Sequence, residues 1–172
     1  MNTNMNATIN VDKSASNNAT LTQAGNKVVV LSIDGLKLIL PQDEIRTVES
    51  IADVELAEKS PRSIGTINYR GQRWPVVCLS NELFLLDVVP AARRACVMLA
   101  YDGNYLGLLC DDARVLVNFM QQSFAMPNSM RTRDSPITSL IQYDQGLACV
   151  SNASRLSSYV NLTTISYVEE VY

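Results

Sequence analysis

Short apolar runs, each closed by a turn-forming pair, recur along most of this chain. Val28-Val29-Val30-Leu31-Ser32-Ile33 leads into Asp34-Gly35 and then Leu36-Lys37-Leu38-Ile39-Leu40. Runs of this length around Asp-Gly predict a β-hairpin, because a two-residue turn needs positive φ, which glycine supplies freely and aspartate tolerates. After Pro41, Gln42-Asp43-Glu44 predicts one helical turn, and Ile45-Arg46-Thr47-Val48-Glu49-Ser50-Ile51 predicts another strand. Alternation puts Thr47 and Glu49 on one face of it. A second hairpin is predicted where Ile64-Gly65-Thr66-Ile67-Asn68-Tyr69 meets Trp74-Pro75-Val76-Val77-Cys78-Leu79 around Arg70-Gly71. Its turn presents Arg70 rigidly, and a guanidinium so held can fork onto a carboxylate or carbonyl. Pro75 cannot donate to a ladder, which predicts an edge strand or a bulge.

The first pattern returns downstream without a gap. Cys96 to Tyr101, Asp102-Gly103 and Asn104 to Cys110 repeat the strand, turn and strand, with Leu106 and Leu108 matching Leu38 and Leu40. Asp111 then falls on Asp43, and Arg114 on Arg46. Across a short gap, Ile67, Tyr69 and Cys78-Leu79-Ser80-Asn81 match Ile141, Tyr143 and Cys149-Val150-Ser151-Asn152. The duplication predicts two similar all-β subdomains of about five strands each, interleaved and falling roughly over residues 27–90 and 91–160. Residues 80–86 predict a short helix or turn, 90–94 a connector, and the polar stretch 121–136 a long loop. Residues 1–26, rich in Asn, Thr, Ser and Ala, hold too few large apolar side chains to offset ordering entropy and predict a flexible arm. Residues 161–172 are expected to form a tail.

Composition narrows the function. Of 172 residues, 47% are hydrophobic and 18% charged, within the globular range. The formal charge of -3 argues against a phosphate-tracking surface and so against nucleic acid. The opening Met1-Asn2-Thr3-Asn4-Met5-Asn6 lacks the basic and apolar regions of a secretion signal, and no apolar run is long enough for membrane insertion, so a cytoplasmic location is expected. Cys78, Cys96, Cys110 and Cys149 are widely spaced within apolar runs, which suits buried thiols rather than a metal or redox site. Histidine is absent, which removes Ser-His and Cys-His machinery, histidine ligands and a phospho-histidine acceptor. No cofactor is expected.

Several of these segments are similar to the CheW-like domain of bacterial chemosensory systems. Gly65-Thr66-Ile67-Asn68-Tyr69-Arg70-Gly71 followed by Trp74-Pro75-Val76-Val77-Cys78-Leu79 resembles that family's G-V-x-N-L-R-G…P-V-V-D-L core. The likeness extends to Leu40-Pro41, to Gly107-Leu108-Leu109-Cys110-Asp111 and to the closing Ser151-Asn152-Ala153-Ser154-Arg155-Leu156. It implies two SH3-like five-stranded barrels packed on each other, and a non-catalytic adaptor joining a chemoreceptor's cytoplasmic tip to the regulatory domain of a CheA-type histidine kinase. The receptor tip would lie between the barrels, and the barrel ends would meet the kinase domain. Arg70 and Gly71 match the exposed turn associated with this coupling, Ile45 and Val48 match apolar positions of the groove, and Asp111 matches an aspartate to which a turn-fixing role is assigned. With Thr47, Glu49, Gly65, Asn68, Tyr69 and Leu106 these form the candidate docking set. The chain departs from the family at Thr47, where a glutamate is usual, at Cys78, where an aspartate is usual, and at Ser139, where a glycine is common. Glu49 is the candidate substitute for the missing acidic partner of Arg70. These departures make a type IV pilus system as suitable a setting as a flagellar one.

Two other classes stand beside this one. An enzyme would rest on Asp111 and Asp112 with Cys110, yet neighbours on a strand point oppositely and would have to converge through a turn. A small-molecule sensor would use the groove, with Tyr101, Tyr105 and Tyr143 as linings.

Overall fold

The two apolar repeats build two curled sheets, but not one sheet per repeat. The computed structural model describes residues 27–60 and 63–169. The arm expected over residues 1–26 and the end of the expected tail, 170–172, lie outside the described residues. The first sheet comprises β1 (Val28–Ile33), β2 (Leu36–Pro41), β9 (Asp112–Leu116), β10 (Ser123–Ala125), β11 (Ser139–Tyr143) and β12 (Gly146–Val150), in the order β10-β11-β12-β2-β1-β9. The second comprises β3 (Ile45–Ser50), β4 (Glu55–Ser60), β5 (Ser63–Tyr69), β6 (Gln72–Cys78), β7 (Ala95–Tyr101) and β8 (Asn104–Cys110), in the order β3-β7-β8-β6-β5-β4. Each sheet thus has six strands, one more than expected, and each draws strands from both halves of the chain, 27–90 and 91–160. After β2 the chain leaves the first sheet, and β3 pairs with β7 of the second. After β8 it leaves the second, and β9 pairs with β1 of the first. The repeats have exchanged their opening hairpins: β1 and β2 sit with β9 to β12, and β7 and β8 sit with β3 to β6.

Register confirms the duplication and corrects its alignment. Val28↔Pro41 in one hairpin has its counterpart in Cys96↔Leu109, and Ile67↔Trp74 has its counterpart in Ile141↔Ala148. The parallel pairs Val76↔Gly107 and Val150↔Ile39 are also equivalent, so Val76 matches Val150, and Cys149 matches Pro75 rather than Cys78. Arg114, opposite Val30, takes the place of Thr47, opposite Met98. A bulge between Ile45 and Thr47 absorbs one residue and displaces Arg46 from that match. β6 is an interior strand, not an edge. Proline is accommodated there because the β8 ladder covers only Val76 to Cys78 and leaves residue 75 outside it.

Three apolar clusters fill the molecule. Val28, Val30, Ile39, Ile141, Ala148 and Val150 pack within the first barrel. Ile67, Trp74, Val76, Cys96, Met98 and Leu109 pack within the second. A larger cluster joins them, with Leu31 and Leu38 from one sheet, Leu99 and Leu108 from the other, and Leu156 and Val160 from a helix.

That helix, α1 (Ala153–Glu169), replaces most of the tail expected over 161–172. Asn152 caps it by accepting the Arg155 amide at 2.8 Å. Glu44, in the single 3-10 turn Gln42–Glu44, accepts the Ala153 amide at 2.7 Å. The signal was present as a cap followed by Ala153, Leu156 and Val160 at helical spacing. Residues 80–86 form a turn with Leu83 at φ 67°, not a helix. Within 121–136 the loop carries β10 and a 3-10 turn at Asn128–Met130.

Candidate docking site

Arg70 and Gly71 occupy the two central positions of the β5–β6 turn at φ 50° and 79°, the left-handed pair of a tight hairpin. Arg70 is exposed, with its guanidinium carbon 5.3 Å from the centroid of the Tyr69 ring. Tyr69 meets Trp74 edge-on at 5.8 Å, and Trp74 meets Tyr105 at 4.8 Å. The cation therefore sits on a packed aromatic base that limits its rotamers.

Beside it lies a depression of about 530 Å³ lined by Glu49, Asp53, Glu55, Asn68, Tyr69 and Arg70. Glu49 accepts a hydrogen bond from Thr47 at 2.9 Å. Glu55 pairs with Arg73 at 3.3 Å and accepts from Asn68 at 3.5 Å. Among the described residues no ion pair joins Arg70 to Glu49, so the expected substitution for the missing acidic partner places the two groups in one depression without a direct bond. Asp53 and Glu55 were not singled out from the sequence, although the acids follow the strand that carries Glu49. Gly65 is buried because β4 crosses close: a Cβ there would strike the Glu55 carbonyl.

The remaining candidates lie elsewhere. The bulge sets Ile45 opposite Leu99 and Val48 opposite Val97, so both occupy the sheet face turned toward the other barrel. Ile45 is half-buried against the central cluster, and Val48 is 45% exposed at the sheet edge. Leu106 is buried and borders a separate cleft of about 240 Å³ with Pro75, Tyr105, Ser157 and Val160. Asp111 faces inward, where it accepts the Asp34 backbone amide at 2.8 Å and so fixes the β1–β2 turn. It also accepts from Arg93 at 2.5 Å, which makes it a structural anchor rather than a free docking group.

The enzyme and sensor sets do not assemble. Asp112 pairs with Arg114 at 2.8 Å while Asp111 pairs with Arg93, so the two carboxylates do not converge. Burial pushes the Cys110 thiol up to about 12, far from a nucleophile's range. Cys96 is raised to about 12 for the same reason, and all four cysteines are free. Tyr143 packs on Phe119 in the first barrel, away from Tyr105 in the second. Among the described residues no group of three or more His, Cys, Asp or Glu side chains is placed to hold a metal, and no helix is long and apolar enough to cross a membrane.

Comparison with known proteins supplies the context for this geometry. No curated protein matches the chain. Among solved structures, the scaffolding protein TtCheW from Thermoanaerobacter tengcongensis is similar in fold, with a TM-score of 0.57 at 20% identity, covering 73% of this chain and 88% of that one. The two curled sheets correspond to the two SH3-like subdomains of that fold. A family model described as the CheW-like domain matches residues 27–160, from the first strand into the second turn of α1. This span includes both barrels and the Arg70 hairpin, and the chain belongs to the CheW-like domain family.

Proposed function

We propose that this chain is a non-catalytic cytoplasmic adaptor that couples a chemoreceptor's cytoplasmic tip to the regulatory domain of a CheA-type histidine kinase, in a flagellar or type IV pilus array. The observation that carries this reading is the exposed Arg70 guanidinium, held on an aromatic base beside a polar depression and bonded to no carboxylate among the described residues. Desolvating a pre-oriented guanidinium against a partner carboxylate gives a docking contact its strength and direction. Ile45 and Val48 supply an apolar contact on the face turned toward the other barrel, where a receptor helix would lie. Micromolar affinity, about -8 kcal/mol, suffices because an array multiplies weak contacts.

Titration calorimetry with the regulatory domain of a CheA-type kinase from the same genome tests the proposal. Saturable binding is expected, weakened roughly tenfold by Arg70→Ala and further by Arg70→Glu. Binding to no such domain, together with saturable uptake of a metabolite, would replace the adaptor with a sensor.

A further inference from the structure

Arg93 is the largest buried polar residue among those described, 2% exposed, and its guanidinium spans both sheets. Nη1 donates to Asp34 at 2.9 Å and to Asp111 at 2.5 Å; Nη2 donates to Asp34 at 2.8 Å and to the Leu79 carbonyl at 2.7 Å. Asp34 belongs to the β1–β2 turn of the first sheet. Leu79 directly follows β6, and Arg93 precedes β7, both in the second sheet. Asp111 lies between β8 and β9, where the chain crosses from one sheet to the other, and its amide donates to Ser32 of β1 at 2.8 Å. One planar cation thus holds a turn of one barrel, a strand end of the other and the crossing between them.

The equivalent position in the duplicated half is built differently. Asp102 corresponds to Asp34 and Asp43 to Asp111, but both are exposed and neither meets a guanidinium among the described residues. That crossing is tied instead by the Glu44 bond to the start of α1. The central cluster between the barrels is apolar and imposes little direction, whereas a guanidinium with fixed donors constrains angle as well as distance.

From this arrangement we infer that Arg93 is a positioning residue: it sets the mutual orientation of the barrels and thereby the surface that a partner contacting both must match. The inference rests on the adaptor reading for its functional half only. Replacing a buried ion cluster by apolar side chains of similar volume is often neutral for stability, so an apolar replacement of Arg93 of similar length can fold and still lose orientation.

Spin labels at Gln72→Cys and Gln142→Cys, both exposed and on different sheets, report the inter-barrel distance by pulsed EPR. A Cys149→Ser background is used, the other native thiols being buried. A single narrow distance is expected for the parent, a broadened or displaced one for Arg93→Met, and an intermediate one for Arg93→Lys, which keeps the charge and loses the fork. Binding to the kinase regulatory domain should weaken about tenfold in Arg93→Met while the Trp74 fluorescence of the second barrel is unchanged. If Arg93→Met does not fold, Asp34→Asn, which leaves Arg93 and Asp111 in place, is measured in the same way and should also broaden the distance. A folded variant with the parental distance overturns the inference, as does a displaced distance with unchanged affinity. A parent protein that binds no kinase domain defeats the adaptor reading and leaves the distance result standing on its own.

Discussion

At the scale of single residues, the features legible in the sequence are those that local backbone chemistry dictates. Arg70-Gly71, Asp34-Gly35 and Asp102-Gly103 all hold the positive φ values expected of tight turns. Arg93 was not legible, because nothing local distinguishes it from Arg94 beside it. Its burial depends on two aspartates distant in sequence that the strand exchange brings together. Gly107 stands out in the sequence as the start of the Gly107-Leu108-Leu109-Cys110-Asp111 likeness, but its reason is tertiary: a Cβ there would lie 2.9 Å from the Cys96 sulfur and 3.0 Å from Val76 Cγ2. Gly107→Ala is therefore expected to cost about 1–3 kcal/mol through overpacking, read as a lowered urea midpoint with an unchanged slope. Unchanged stability would mean that the strands separate more easily than their packing implies.

At the scale of elements, hairpins were readable from alternation and turn pairs, whereas the pairing of β3 and β9 was not. Both strands carry the right pattern, but the choice between two equivalent sheets is a tertiary decision that no local signal encodes. Helix α1 is tethered to the 3-10 turn before β3 by Glu44, and this tether titrates. Burial raises the Glu44 pKa above its usual value near 4.5, so the folded state holds its proton more tightly than the unfolded chain. The stabilisation from that proton is complete below the unfolded pKa and is lost as pH rises through the folded one. Urea midpoints measured at steps upward from pH 4.5 should fall in the parent over that window. The fall should be smaller in Glu44→Gln, whose amide oxygen can still accept from Ala153. Equal slopes would remove Glu44 as the source.

At the scale of the whole molecule, two barrels packed on each other are expected from the sequence, and the part that α1 takes in their shared interior is not. The cluster between the sheets draws on both barrels and on α1, so the parts should unfold together. Far-UV circular dichroism and Trp74 fluorescence, which reports the second barrel alone, are expected to give coincident denaturation curves. Leu156→Ala, which removes a fully buried side chain from the shared cluster, should move both curves equally, by about 2–5 kcal/mol. Two separated transitions would show that the barrels are thermodynamically independent.

The exchanged strands also impose a timetable on synthesis. The second sheet is complete in a contiguous stretch from β3 to β8 and can close as soon as Cys110 clears the ribosome, but β1 and β2, made first, must wait for β9 and β12. At roughly 5–20 residues per second, that leaves the earliest apolar hairpin of the nascent chain without its neighbours for several seconds. The first strands to be made are thus among the last to be sheltered, and that interval is when they most need a chaperone.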